Sequence, residues 1–140
     1  LFNQATHAPF MVSYPGGMHG SSSSIVEFVD IYPSLCEACG ISQPGHLQGR
    51  SFLPTLKDPK KKHRDHAFIQ WGKGVNLVTS DYSYAQWYDS SQNIVSEMLF
   101  DHRNDPEENK NVAGENKYCK LIKKFQTDIK KEQEETLPLK

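Results

Sequence analysis

The 140-residue sequence lacks a strong net charge, a long apolar run and a cysteine-rich framework. Its 16 lysines and arginines nearly balance 17 aspartates and glutamates, so the formal net charge is −1. No broad basic field is available to attract nucleic acid or an anionic membrane. No apolar run approaches the roughly 20 residues that a membrane-spanning helix needs. We expect neither nucleic acid nor a membrane among the partners of this protein.

The sequence also lacks the short motifs that most readily name a reaction. It contains no G-x-G-x-x-G, no P-loop and no G-x-S-x-G. Its six histidines do not form a compact metal-binding pattern. His63 and His66 flank a charged run and are predicted to be solvated. The residue pattern alone therefore names no reaction.

Only three cysteines are present, at positions 36, 39 and 119. Cys36 and Cys39 form a C-x-x-C within a helical pattern. A redox pair would need a preceding strand and an exposed helix N-terminus, and a zinc site would need a second ligand pair. Neither accompanies this motif, so we predict buried structural thiols.

The first sixteen residues carry the strongest local signal. A polar loop leads into an apolar stretch, Phe10–Tyr14, which Pro15-Gly16 then ends. Its three consecutive apolar residues predict a central strand of a parallel sheet, covered on both faces. Because α/β proteins place their chemistry in loops at strand ends, Thr6 and His7 are candidate functional residues. Alternatively, His7 only fixes the loop through a hydrogen bond.

The chain opens on Leu1-Phe2 rather than Met, directly before an apolar segment. We therefore expect a piece of a longer polypeptide. Ile25–Val29 is predicted to be extended, and Asp30 to cap a helix that Gly40 ends. Ser51 is predicted to cap a second short helix, with Pro54 in its first turn.

A run of charged residues, 57–65, is predicted to be a solvated linker rather than a basic binding patch. The domain boundary is placed here, which gives domains 1–58 and 59–140. Beyond it, four short segments have strand patterns, and tight connections predict an antiparallel meander. The predicted strands are Ala67–Trp71, Val75–Thr79, Tyr82–Tyr88 and Glu97–Asp101. A final helix is predicted to cover one face of this sheet with Tyr118, Leu121, Ile122, Phe125 and Ile129.

Four segments together resemble the type I sulfatase family. They are Ala5–Val12 with the following Pro15-Gly16, Phe28–Leu35 ending at Gly40-Ile41, Leu47–Pro54, and Met98–Ala113. They are similar to the family's strand beside the active site, its "V-D-hydrophobic-aromatic-P-T/S-L" helix, its "L-x-G-R-S-L-x-P" and its "E-L-Y-D-L-x-x-D-P-x-E-x-x-N-L". The motifs occur in family order across nearly the whole chain. The Ala-Thr-His-Ala-Pro form and the stretch 78–87 resemble the iduronate-2-sulfatase branch most.

This resemblance implies an alkaline-phosphatase-like α/β fold, with this chain as the tail of the large domain plus a C-terminal subdomain. It implies hydrolysis of sulfate esters on a sulfated, uronic-acid-containing sugar, with a formylglycine nucleophile and a Ca²⁺ ion. None of the three cysteines opens the family's C/S-x-P-x-R motif, so nucleophile and metal ligands are expected outside this chain. The N-terminal portion of the same sulfatase is then the expected partner, and this chain alone is expected to be inactive. The family suggests an exported, periplasmic or lysosomal location.

The resemblance also bears on the site residues. Thr6 and His7 are expected at the rim of the sulfate pocket. Lys73, which lies between two glycines, matches by position a basic residue that iduronate-2-sulfatases bring towards the carboxylate of their uronic acid. Alternatively, Lys73 is a plain exposed turn residue.

Two other functions stay open at this point. The chain could be a glycan-binding or interaction module in which Tyr82, Tyr84, Tyr88 and Trp71 form a stacking face. It could also belong to a phosphatase or phosphodiesterase of the same superfamily. Only the nucleophile, which is expected outside this chain, would distinguish such an enzyme from a sulfatase.

Overall fold

The computed structural model describes residues 2–136. Its helices are α1 (Asn3–Thr6), α2 (Ile31–Ala38), α3 (Leu53–Lys57) and α4 (Cys119–Thr136), and its strands are β1 (Ala67–Trp71), β2 (Gly74–Val78), β3 (Tyr82–Tyr88) and β4 (Ile94–Asp101). Short 3₁₀ helices, Phe28–Asp30 and Asn116–Tyr118, precede α2 and α4. Among the described residues, no helix combines the length and apolarity that crossing a bilayer requires.

Contacts divide the chain into two compact units. The first unit contains the chain up to Pro9 and again from Phe68 onward, and the second contains Phe10–Ala67. The predicted domain boundary between residues 58 and 59 stays a prediction.

The sheet of the first unit is the predicted antiparallel meander, in the order β1-β2-β3-β4. Leu77 of β2 lies opposite Tyr84 of β3, which in turn lies opposite Leu99 of β4. The fourth strand begins at Ile94, three residues before its predicted start. It does so because Ile94 pairs with Tyr88 beyond an irregularity after Trp87.

The core of this unit lies between the sheet and α4. The ring of Phe125 stacks on that of Tyr84, with centroids 5.7 Å apart, and Ile129 is 1% exposed. The predicted apolar face of the last helix is confirmed: Tyr118, Ile122, Phe125 and Ile129 are buried, and Leu121 packs against them. Burying each such side chain contributes about 1.5–3 kcal/mol, so this face fixes the helix on the sheet.

Polar groups under α4 are satisfied by one another. The Tyr84 hydroxyl donates to the Glu97 carboxylate and accepts from Gln86, and the Tyr88 hydroxyl donates to Gln86 Oε1 at 2.6 Å. Burial, followed by the hydrogen bond to Glu97, raises the pKa of Tyr84. The predicted stacking role is therefore wrong for Tyr84, because a fully buried ring cannot stack on a sugar.

In the second unit, α2 ends as its sequence predicts. Gly40 has φ +67°, and Ile41 N–H donates to Cys36 O at 2.8 Å while Gly40 N–H donates to Glu37 O. This is the Schellman arrangement that glycine favours. Cys36 is buried as predicted, but Cys39 is exposed, so the prediction of buried thiols is wrong for Cys39.

Two predicted extended segments are not strands. Phe10–Tyr14 forms no ladder, and Phe10, Met11 and Val12 are 40%, 91% and 43% exposed. A strand needs a neighbour for its amides, and no segment among the described residues pairs with this one. Ile25–Val29 contributes a single bridge, from Ile25 to Arg64, before it turns into the 3₁₀ helix.

The capping of α3 also differs from the prediction. Its N-cap is Phe52 rather than Ser51, although the Ser51 hydroxyl still accepts a hydrogen bond from Leu53 N–H at 3.2 Å. Pro54 lies in the first turn as predicted, where a missing N–H costs nothing.

Candidate functional site

The predicted rim residues Thr6 and His7 lie at the end of α1, in the first unit. The Thr6 hydroxyl donates to Phe2 O at 3.2 Å, and the His7 N–H donates to Asn3 O at 2.8 Å. Both bonds close the single turn of α1, so this short helix sets the direction in which the exposed His7 ring leaves the backbone.

His7 lines a pocket of about 200 Å³ together with residues from the loop after β4. The pocket is lined by Asn3, Gln4, His7, Pro106, Glu107 and Glu108. The polar groups at its surface include an imidazole, two amides and the exposed Glu107 carboxylate, which suit the hydroxyl groups of a sugar. Two carboxylates would repel a sulfate group, so the geometry favours a rim contact to sugar over a direct contact to sulfate.

Glu108 ties this pocket to the sheet. Its Oε2 accepts a hydrogen bond from Asn3 N–H at 2.7 Å, and its Oε1 lies 2.9 Å from His102 Nε2. Phe2 adds an apolar contact, with its ring centroid 5.6 Å from that of Phe100 in β4. The loop after β4, which carries Glu108, therefore contacts the segment that precedes His7.

Lys73 lies in the tight turn between β1 and β2, where Gly72 has φ +57°. The Lys73 ammonium donates to Ser90 Oγ, 2.8 Å away, in the turn that leads to β4. Trp71, at the end of β1 and two residues before Lys73, is 80% exposed. This end of the sheet thus presents an aromatic ring and a cation.

The structure does not bring Lys73 and His7 together. Lys73 O accepts from Tyr88 N–H at one end of β3, whereas Phe2, directly before α1, contacts Phe100, which pairs with Ser83 near the other end. The six residue-to-residue steps from Tyr82 to Tyr88 span roughly 20 Å at about 3.3 Å per step. If both residues contact substrate, they contact different parts of it.

A buried ionic centre organises the second unit, and sequence reasoning missed it. Asp30 is fully buried, and its carboxylate accepts hydrogen bonds from Arg64 Nε at 2.8 Å, His63 Nε2 at 3.0 Å and Arg50 N–H at 2.8 Å. Asp30 is the N-cap residue of α2, as predicted, but its side chain does not cap that helix. The one sequence signal was an acidic residue inside an apolar motif, which needs a cation when buried.

The same centre corrects the prediction for the charged run. The His63 and Arg64 side chains are 7% and 10% exposed, so this part is not a solvated linker. Burial alone would raise the pKa of Asp30, but hydrogen bonds from Arg64, from the Arg50 and Glu27 amides and from His63 lower it to about 2. Asp30 is therefore an ionised structural anchor.

A second buried carboxylate belongs to Asp101, the last residue of β4. It accepts two hydrogen bonds from Arg103, at 2.9 and 2.8 Å, and one from the Tyr118 hydroxyl at 2.8 Å. The Arg103 guanidinium holds the pKa of Asp101 well below its usual range. These bonds join the loop after β4 to the start of α4, so the role of Asp101 is structural.

Within residues 2–136, no group of three or more His, Cys, Asp or Glu side chains is arranged to hold a metal ion. The described residues therefore do not fit the Ca²⁺ ion that the sequence resemblance implies.

Comparison with known proteins identifies the family. A family model described as N-sulphoglucosamine sulphohydrolase, C-terminal, matches residues 1–135. The chain belongs to this sulfatase family. The resemblance seen in the sequence motifs is thereby confirmed, and the chain represents the C-terminal part of the sulfatase architecture.

Individual relatives of this sulfatase chain are consistent with the family match. Delta 4,5-hexuronate-2-O-sulfatase of Bacteroides thetaiotaomicron is 27% identical over 137 residues, which cover 87% of this chain and 27% of that protein. Human arylsulfatase K is 32% identical over 129 residues, which cover 81% of this chain and 23% of that protein. The chain thus spans about a quarter of the length of these curated relatives.

A solved structure also confirms the fold of this sulfatase part. It is that of a protein in complex with its substrate D-glucosamine-2-N,6-O-disulfate, with a TM-score of 0.72 and 23% identity. The match covers 81% of this chain and 25% of the other. The alkaline-phosphatase-like fold class, with an antiparallel subdomain and a C-terminal helix, is confirmed.

Proposed function

We propose that this chain completes a sulfatase that hydrolyses a sulfate ester on a uronic-acid-containing sugar. The observation that carries the proposal is the family match over nearly the whole chain. The assignment of a uronate substrate is supported by the relative from Bacteroides thetaiotaomicron, whose name specifies a 2-O-sulfate on an unsaturated hexuronate. The nucleophilic formylglycine and the Ca²⁺ ion of the family belong, in this proposal, to segments outside this chain.

Within this function, the first unit supplies contacts to the sugar rather than the chemical step. His7 can donate from either ring nitrogen to a hydroxyl or ester oxygen at the rim of the active site. Thr6, whose hydroxyl is engaged in α1, supports the turn beside it. Lys73 is available to bind the carboxylate of a uronic acid through a charge-assisted hydrogen bond.

The second unit is proposed to pack against the large α/β part of the same protein. Its exposed apolar side chains include Phe28, Tyr32 and Leu35, which are 71%, 53% and 57% exposed and follow helical spacing. Met11 adds a side chain that is 91% exposed. Apolar surface of this extent is typical of a face that another segment covers.

The test measures sulfate release by the complete protein. The main substrate is a 2-O-sulfated unsaturated hexuronate disaccharide, and a 6-O-sulfated glucosamine is the comparison. Preferential hydrolysis of the uronate ester supports the proposal, and hydrolysis of glucosamine sulfate alone rejects the uronate assignment. A phosphonate or phosphate ester tests the alternative, because a phosphatase or phosphodiesterase would cleave it in preference to every sulfate ester.

A further inference from the structure

We infer that Glu108 is a positioning residue for His7, an inference that rests on the proposed role of His7 at the active-site rim. Glu108 and His7 are connected through Asn3, whose backbone forms a hydrogen bond with each of them. Asn3 N–H donates to Glu108 Oε2 at 2.7 Å, and Asn3 O accepts from His7 N–H at 2.8 Å. A residue 105 positions away in sequence therefore fixes the one turn that carries His7.

The carboxylate of Glu108 is itself held from the side of the sheet. His102 Nε2 lies 2.9 Å from Glu108 Oε1, and the His102 N–H donates to Asp81 O at 2.8 Å in the turn between β2 and β3. The Glu108 and His102 side chains are 2% and 12% exposed. Because both carboxylate oxygens are engaged and little water reaches them, the anchor is rigid.

The backbone conformation of Glu108 points the same way. Its φ is +57°, in the left-handed region where residues other than glycine are uncommon. Glycine or asparagine would adopt this conformation at lower cost. What glutamate offers at this position is its carboxylate, which reaches the first amide of α1.

The helix needs such an anchor because it has only four residues. One turn fixes many backbone dihedrals for few hydrogen bonds, so it is not stable by itself in water. Its residues are exposed or only half-buried, so packing contributes little. Without the Glu108 carboxylate, we expect α1 to open and the His7 ring to lose its fixed direction.

The first measurement is hydrogen–deuterium exchange of residues 3–7 in the complete protein. Glu108→Ala should speed exchange there at least tenfold, and Glu108→Gln, which keeps one acceptor oxygen, should restore part of the protection. The control Glu134→Ala removes an exposed carboxylate from α4 and should change nothing in this segment. Unchanged exchange in Glu108→Ala would overturn the inference, whatever the activity of the protein.

The second measurement is a double-mutant cycle on kcat/KM for the sulfated disaccharide. If Glu108 acts through His7, Glu108→Ala lowers kcat/KM three- to tenfold in the parent protein and adds no further loss to His7→Ala. A general structural role would instead give losses that multiply, which would overturn the inference. If the parent protein releases no sulfate, the proposed function fails, and the exchange experiment still decides the role of Glu108.

Discussion

Arg64 and Asp30 form a buried ion pair, with Arg64 Nε 2.8 Å from Asp30 Oδ2. Arg64 comes from a charged run that the sequence pattern assigns to solvent, and Asp30 from an apolar family motif. The pair joins two segments of the second unit that lie 34 residues apart in sequence, and the Arg50 amide donates to the same carboxylate. Removing either charge would leave the other buried with only part of its partners, Glu27 for Arg64 and His63 for Asp30, which is destabilising.

The first prediction concerns the pH dependence that Asp30 confers. Its pKa falls from 3.8 to about 2 on folding, so the unfolded state binds the proton more tightly. The stabilisation is complete above pH 4 and is lost as the pH falls towards 2, with a total on the order of 2 kcal/mol. We expect Asp30→Asn to be less stable than the parent in urea unfolding at pH 7, with the difference shrinking between pH 4 and 2.

Asp65→Asn is the matched control for Asp30. Asp65 lies in the same unit and pairs with Lys62, but its side chain is 80% exposed. An exposed pair contributes at most about 1 kcal/mol. If both variants changed stability equally, the buried centre would not be the anchor that its geometry indicates.

The second prediction concerns Gly49, the glycine of the L-x-G-R-S motif. A Cβ placed there would lie 1.9 Å from Val29 O, a backbone atom that cannot move aside alone. Gly49→Ala should therefore lower the free energy of unfolding by about 1–3 kcal/mol or more, as overpacking does. Thermal unfolding of both variants measures the difference. The control Gly45→Ala adds a Cβ in open space and should leave the free energy of unfolding nearly unchanged.

The third prediction concerns the apolar face around Leu35. Leu35 is 57% exposed in this chain, so Leu35→Glu should reduce self-association of the isolated 140-residue chain, measured by sedimentation. In the complete protein, the same change should lower the melting temperature, because a charge would enter a covered surface. The matched change Lys124→Glu, on exposed α4 surface, should have neither effect. A Leu35→Glu protein of unchanged melting temperature would mean that this face is not covered.

The fourth prediction concerns His7. In the complete protein, His7→Ala should lower kcat/KM for the sulfated disaccharide at least about tenfold, which corresponds to roughly 1.4 kcal/mol of transition-state stabilisation. Circular dichroism should remain unchanged, because the ring is exposed. Kinetics equal to those of the parent would leave His7 with only its backbone role at the end of α1.

The fifth prediction concerns Lys73. Lys73→Ala should weaken an acidic-sugar substrate by roughly 1–3 kcal/mol, the range of a charge-assisted hydrogen bond, and leave a neutral aryl sulfate almost unaffected. Ser90→Ala removes the partner of the ammonium but keeps the charge, so it should retain most of the affinity. Equal losses on both substrates would indicate a general effect on folding, and no loss would make Lys73 a turn residue.

Local patterns predicted the sheet and its helix correctly. In β3, Tyr82, Tyr84 and Tyr88 follow a period of two and contact the same core, and the spacing of Ile122, Phe125 and Ile129 is helical. Both periods follow from backbone geometry, so they can be read without knowing any partner. Gly40 likewise identifies the end of α2 because its conformation is local.

The sequence by itself determined the family, through motifs in a fixed order, and the elements whose contacts are near in the chain. Only the tertiary structure decided which charges are buried: His63 and Arg64 meet Asp30, and Glu108 meets Asn3, across 33 to 105 residues. The reason is that a charged side chain is stable either in water or when buried with a partner. The residues next to it in the sequence do not determine which of the two occurs. Phe10–Tyr14 shows the converse, since an apolar run becomes a strand only where another segment accepts its hydrogen bonds.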